Sequence, residues 1–392
     1  MNTGRSVGFV IQRYGDGVDG GAEQHCRWVA EHLAAHRPVE VITTCARDYI
    51  TWRNHFPAGH TELNGVRVRR FPTTEERELT TFNRLTAAIL AAPRPTEEAQ
   101  VSWLKAQGPL CPELIEYLVL HGDSYAAIFL YTYLYYPTVL GSNQVRRAIL
   151  VPTAHDEPVI RLPLFQSVFR APRVLLFLTA AEREFVRSLF NVGDTPSRIL
   201  DIGITVPEAD MASFRARYGL SAPFILYAGR IDEGKGCLEL VRNFLEYKRD
   251  GSDDLQLVLI GRLHAGLPDH PDIRYLGYLD DSDKAAALRC AEIMAAPSPF
   301  ESLGIAALEA QSVGVPILVN GRCTVLVGHC REGNGGLWYD NCDEFIEVLR
   351  ELRSNQGLRA TLGANGRAYA AGRYTWSRAL DILEWAIAKA AG

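Results

Sequence analysis

The chain has 392 residues, more than one hydrophobic core usually encloses, so two domains are expected. Hydrophobic residues make up 47% and charged residues 22%, an ordinary globular balance. With 41 basic and 46 acidic residues the net charge is −5, which argues against a general nucleic-acid binder.

No apolar run reaches the roughly 18 residues of a membrane-spanning helix. The opening "MNTGRSVGFVIQ" reads as a polar tail and a short strand, without the apolar core and cleavage site of a signal peptide. The cysteines (Cys26, Cys45, Cys111, Cys237, Cys290, Cys323, Cys330 and Cys342) contain no C-x-x-C pair. They read as reduced thiols of a cytoplasmic protein. Cys323, His329, Cys330 and Cys342 match no standard zinc spacing, so no metal site is expected.

In chain order, "SVGFVIQ", "VEVITTC", "AAIFLY", "RAILVPT" and "VLLFLTA" read as buried strands of the first half. "FILYAGR", "LQLVLIG", "IRYLGY", "EIMAAPS" and "VPILVNG" read as those of the second. Helical patterns occupy 22–36, 236–248, 283–291 and 302–313, and "TWSRALDILEWAIAKAA" closes the chain at helical spacing. Apolar strands alternating with helices indicate an α/β protein with parallel sheets covered on both faces. Two such sets indicate two doubly wound domains, with a break near 205–222. Segment 73–118 breaks the alternation and reads as an inserted group of helices and loops. In doubly wound sheets ligands bind beyond the carboxyl ends of the strands, so the residues after each strand carry the functional question.

In the first half, "GDGVDGGAEQ" is a glycine loop opening a helix, where Gly20 and Gly21 let backbone approach a phosphate or an acceptor. "AILVPTAHDEP" leaves His155 and Asp156 after a strand, with Asp156 placed to orient the histidine. Tyr131, Tyr133, Tyr135 and Tyr136 offer aromatic faces to a sugar ring, although core packing is the commoner explanation of such a group.

In the second half, "GRIDEGKG" ends a strand and opens a helix. Arg230 and Lys235 add two cations to the unpaired N–H groups of that turn, a combination suited to a diphosphate. It is neither a Walker loop nor G-x-G-x-x-G, which disfavours a nicotinamide cofactor. "PFESLGIAALEA" then places Glu301 and Glu309 eight residues apart. With a helix starting near Ser302 as cap, and Leu303 and Gly304 in its first turn, Glu309 lies about 12 Å further along the axis than Glu301 and about 80° around it, on one side. One long ligand rich in hydroxyls can span them. A nucleotide sugar fits, with ribose at Glu309, the transferred sugar at Glu301 and the diphosphate at Arg230 and Lys235.

These four segments, "GGAEQHCRWVAEHLA", "AHDEP", "YAGRIDEGKG" and "FESLGIAALEAQSVGVPILV", resemble the retaining glycosyltransferases of family 4, the glycogen-synthase-like group with an E-x7-E motif. The resemblance runs from about residue 7 to the C-terminus and implies the GT-B fold, two facing Rossmann-like domains. On that pattern 1–205 is the acceptor-side domain, 206–375 binds the nucleotide sugar, and 376–392 is a helix returning to the first domain. The implied catalytic residues are Glu301, His155, Lys235 and Arg230. Donor binding falls to Gly20, Gly21, Arg230, Lys235, Leu303, Gly304 and Glu309. The implied reaction moves a sugar from a nucleotide diphosphate donor to a hydroxyl acceptor (a glycan, a lipid-linked acceptor or a small molecule) with retention. It needs neither metal nor cofactor, and proceeds by a same-face displacement in which the leaving phosphate helps to deprotonate the acceptor. The implied setting is the cytoplasm or the inner face of a membrane. Two departures leave sugar and acceptor open: Ile202 and Thr205 replace the Asn and Asp of N-G-V-D, and "NGRCTVLVGHC" replaces G-G-x-x-E-x-[IV]. A nucleotide-sugar epimerase of the same architecture and a non-catalytic sugar-nucleotide or glycan-binding protein remain alternatives.

Overall fold

A computed structural model describes residues 4–249 and 253–392. The chain divides into two compact units, Met1–Ile202 with Ala379–Gly392, and Gly203–Arg378.

In the first unit the elements run β1 Val7–Val10, α1 Gly21–Ala34, β2 Val39–Thr44, β3 Gly59–Leu63, β4 Val66–Phe71, α2 Leu79–Ala91, α3 Glu97–Gln107 and α4 Pro112–His121. They continue as β5 Ile128–Tyr131, α5 Tyr136–Gly141, β6 Ala148–Val151, α6 Phe165–Arg170, β7 Val174–Phe177, α7 Ala180–Leu189 and β8 Ser197–Ile199. The sheet order is β3-β4-β2-β1-β5-β6-β7-β8. Among the named strands of this sheet β3 and β4 pair antiparallel, and the other neighbours pair parallel. Every residue of β1, β5, β6 and β7 is buried, the pattern of strands covered on both faces. Phe9 and Phe129, register partners on β1 and β5, stack with ring centroids 4.7 Å apart. Segment 73–118 forms α2, α3 and most of α4.

The second unit contains α8 Met211–Tyr218, β9 Phe224–Ala228, α9 Cys237–Lys248, β10 Gln256–Ile260, β11 Ile273–Tyr275, α10 Asp281–Cys290 and β12 Ile293–Ala296. It continues with α11 Ile305–Ser312, β13 Ile317–Asn320, α12 Thr324–Gly333, β14 Gly336–Tyr339, α13 Cys342–Ser354 and α14 Gln356–Arg373. Its six parallel strands lie in the order β11-β10-β9-β12-β13-β14. This is the 3-2-1-4-5-6 order of a dinucleotide-binding sheet, which reverses direction between β9 and β12. The closing helix α15, Trp376–Ala391, groups with the first unit from Ala379 onward. Leu383, Ala386, Ile387 and Ala390 are its buried stripe, and Arg37 pairs with Glu384 at 3.0 Å.

Candidate functional site

The sheet of the second unit offers one topological switch point, between β9 and β12, and both second-half motifs lie on the loops that leave those strands. After β9 the chain crosses Gly229 to Gly236. The Lys235 N–H donates to Asp232 Oδ1 at 2.7 Å, and Arg230 Nε lies 3.6 Å from Asp232 Oδ2, so one aspartate braces the turn. Gly236 caps α9 in the left-handed region (φ 70°). A Cβ there would sit 2.3 Å from the Pro297 carbonyl oxygen, so only glycine lets this loop touch the one after β12.

The loop after β12 differs from expectation. Helix α11 starts at Ile305, not near Ser302, and its cap is Gly304 in the left-handed region (φ 74°) with no side-chain cap bond. Leu303 and Gly304 therefore precede the helix, and Glu301 lies in the loop, so the helical spacing of Glu301 and Glu309 does not apply. Bulk explains the shift. Left-handed Gly304 packs under Leu326, whose Cδ2 would lie 2.6 Å from a Cβ, and buried Leu303 turns the chain inward before the helix can begin. Glu301 is held otherwise, by Lys235 Nζ at 2.7 Å from Oε1. Two residues 66 apart in sequence are thus brought together, both half-buried.

Glu309 is 5% exposed, and Lys284 on α10 places Nζ 2.7 Å from its Oε1 and 2.6 Å from its Oε2. Sequence reasoning passed over Lys284. The local signal is slight: a lysine directly before the buried run Ala285–Leu288. His329, considered above only as a zinc ligand of improbable spacing, is buried and puts Nε2 2.7 Å from the Leu303 carbonyl oxygen. Burial pulls its imidazole down to about 4.

In the first unit the same strand order places a switch between β1 and β5. Gly20 caps α1 with φ 133°, and a Cβ there would meet Glu23 Oε2 at 2.2 Å. Gly21 opens the helix. Buried Arg13 braces the glycine loop, donating to the Asp19 and Arg47 carbonyls at 2.8 and 2.9 Å and pairing with Glu23 at 2.5 Å. Burial pulls this guanidinium down, but Glu23, Tyr135 and Asp19 together hold it above its ordinary value. His155 lies beyond β6, which ends at Val151 rather than Thr153. Its Nε2 is 3.9 Å from Glu157 Oε1, while Asp156 pairs with Arg161 at 2.7 Å, so Glu157 and not Asp156 is the carboxylate beside it. Tyr133 OH donates to Glu157 at 2.6 Å. Thr153 is left-handed (φ 51°), and buried Glu182 accepts from the Ala154 and Leu178 N–H groups at 2.6 Å each. Burial pushes that carboxyl up to about 8 against the pull of those N–H groups. Tyr131 is core: its hydroxyl meets His25 Nδ1 at 3.2 Å, and burial takes that histidine down to about 3.

Residues 212–369 match the family model of glycosyl transferases group 1. Arg230, Lys235, Glu301 and Glu309 all fall within that span. Over 249 residues the chain is 32% identical to a phosphatidyl-myo-inositol mannosyltransferase of Mycobacterium leprae, a match covering 60% of this chain and 65% of that one. It is 27% identical over 287 residues to a D-inositol 3-phosphate glycosyltransferase of Nocardioides, covering 63% and 61%. The chain thus matches under two thirds of the length of these relatives. Against an uncharacterized glycosyltransferase of Methanocaldococcus jannaschii it is 23% identical, with 94% of both chains covered. Among solved structures it is similar to a sucrose-phosphate synthase from Thermosynechococcus elongatus, with TM-score 0.71 and 17% identity over 97% of this chain and 98% of that one. Anabaena Alr3699/HepE, solved with UDP and glucose, gives TM-score 0.67 and 16% identity over 97% and 99%. At such identities the likeness is one of fold, and the fold is GT-B.

Proposed function

We propose that this protein is a retaining glycosyltransferase of family 4, moving a sugar from a nucleotide diphosphate sugar to a hydroxyl acceptor. The observation that carries this is the meeting of the two motifs at the β9/β12 switch point, Lys235 against Glu301 at 2.7 Å. A half-buried ammonium and carboxylate, between two helices opened by left-handed glycines, form a polar site that a diphosphate sugar can enter by exchanging partners. Lys235 and Arg230 turn to the diphosphate, and Glu301 is released to the hydroxyls of the transferred sugar. The N–H groups of the α9 and α11 first turns meet the charge that grows on the leaving group, a preorganised stabilisation. Glu309 holds the ribose. Leu303 and Gly304 bring backbone to the donor, and Gly20, Gly21 and His155 keep the donor-side roles that the resemblance implies. The leaving phosphate helps to deprotonate the acceptor on the face it departs from, and the donor is a substrate rather than a cofactor. The inositol-directed names of the relatives favour a polyol or lipid-linked acceptor.

A panel of nucleotide sugars tests this, by following release of nucleoside diphosphate with and without inositol, glycan and lipid-linked acceptors. One donor should be consumed in an acceptor-dependent way, and NMR of the product should show the donor's anomeric configuration. An inverted product, or interconversion of donors without transfer, would overturn it. The second outcome would instead mark an epimerase.

A further inference from the structure

Helix α12 presses on the loop before α11 at two places one turn apart. Leu326 packs against the Gly304 Cα, and His329 reaches the Leu303 carbonyl at 2.7 Å. The other ring nitrogen of His329, Nδ1, lies 3.2 Å from Tyr369 OH and 3.5 Å from Tyr374 OH, both on the far side of the ring. The tautomer follows from the partners. A carbonyl oxygen only accepts, so Nε2 carries the proton, and in the neutral ring Nδ1 then accepts from a tyrosine hydroxyl. Tyr369 OH also lies 3.3 Å from Glu332 Oε2, so Tyr374 shares the task of donating to the ring.

The peptide between Leu303 and Gly304 is planar and trans, so its carbonyl and its N–H point in opposite directions. With the carbonyl drawn into the buried histidine, the Gly304 N–H faces away from α12, on a residue that is only half-buried. Gly304 is the cap of α11, and the N–H groups that follow it have no acceptor inside the helix. We propose that His329, oriented by Tyr369 and Tyr374, is a positioning residue that sets the Leu303–Gly304 peptide plane and so aims the Gly304 N–H at the phosphate of the donor. This rests on the donor assignment given above. It accounts for the segment "NGRCTVLVGHC" that departs from the family pattern: this chain holds its donor loop from α12 through an imidazole.

The test compares wild type with His329→Phe, His329→Gln and Tyr369→Phe. Each is titrated with UDP, GDP, ADP, CDP and dTDP and, by competition, with the matching nucleosides. Turnover is followed with the donor that wild type consumes. His329→Phe should weaken the preferred nucleoside diphosphate on the order of 10-fold and lower kcat at least as much, because an oriented N–H donor is lost. The matching nucleoside, which has no phosphate, should bind as before. His329→Gln, whose amide can still donate to the Leu303 carbonyl, should recover most of the loss. Tyr369→Phe should shift both quantities in the same direction by less. If His329→Phe does not fold, the latter two variants carry the comparison. Wild-type diphosphate affinity and turnover in the variants, or equal losses for diphosphate and nucleoside, would overturn the proposal. A wild type that binds none of the five diphosphates would overturn the donor assignment itself.

Discussion

At the scale of single residues, two ion pairs dominate the site of the second unit, and they differ in kind. Lys235–Glu301 is half-buried, so its partners can exchange, as the proposed donor site requires. Lys284–Glu309 lies deeper: the carboxylate is 5% exposed, Lys284 donates to its Oε1, and its Oε2, 2.6 Å from the same ammonium, accepts no hydrogen bond among the described residues. Removing one member of a buried pair strands the other charge. Lys284→Met should therefore destabilise the protein by up to about 3 kcal/mol, the low end for a buried pair because Lys284 keeps about a fifth of its side chain in water. Urea unfolding of Lys284→Met, Glu309→Gln and the double variant checks this. The double variant should be more stable than the sum of the single losses predicts. Additive losses would mean that the pair is not coupled. Sequence reasoning picked out Glu309 but not its partner, because a lysine on a surface helix looks the same whether it faces water or a buried carboxylate.

At the scale of elements, the two helices that open on the site begin alike and tolerate change differently. Gly236 and Gly304 are both left-handed caps, strained for any other residue. A Cβ at Gly236 meets the Pro297 carbonyl, backbone that cannot move aside, whereas one at Gly304 meets the tip of the Leu326 side chain, which can rotate. Gly236→Ala should therefore cost more than Gly304→Ala, by about 1–2 kcal/mol beyond the conformational strain they share. Thermal unfolding of the two variants decides it, and an equal or reversed order would contradict the packing described. Elements themselves were unevenly legible. Central parallel strands announce themselves as unbroken apolar runs such as "FILYA". The β3–β4 hairpin went unread although Asn64-Gly65, both at positive φ (48° and 76°), is a turn that favours hairpins. β3 is the edge strand and exposes His60, Thr61 and Glu62, while β4 alternates buried Val66 and Val68 with Arg67 and Arg69, so neither shows the unbroken apolar run of the central strands. The start of α11 was misplaced because Ser302 is a good cap by type, while the buried Leu303 and the left-handed Gly304 after it delay the helix.

At the scale of the whole molecule, the α/β class, the parallel sheets and the two-unit organisation were legible from alternation alone, since covered strands and amphipathic helices leave distinct periods. Strand order was not, because it is set by which crossovers pack, and it is strand order that brings residues 230–236 beside residues 297–304. The contacts that brace these loops, Lys284 and His329 within the second unit and Glu182 within the first, were also hidden, because each depends on a partner some way off in the chain. The central claim is that Glu301 and Glu309 serve opposite ends of one donor molecule. It is tested most directly by titrating Glu301→Gln and Glu309→Gln with the nucleoside diphosphate that wild type prefers, beside turnover with the full donor. Glu309→Gln should weaken diphosphate binding, since the ribose contact is made in every bound state. Glu301→Gln should leave that affinity nearly intact and lower kcat, because its contact is to the sugar whose charge changes in the transition state. Loss of diphosphate binding in Glu301→Gln with wild-type binding in Glu309→Gln, or no change in either, would contradict the account.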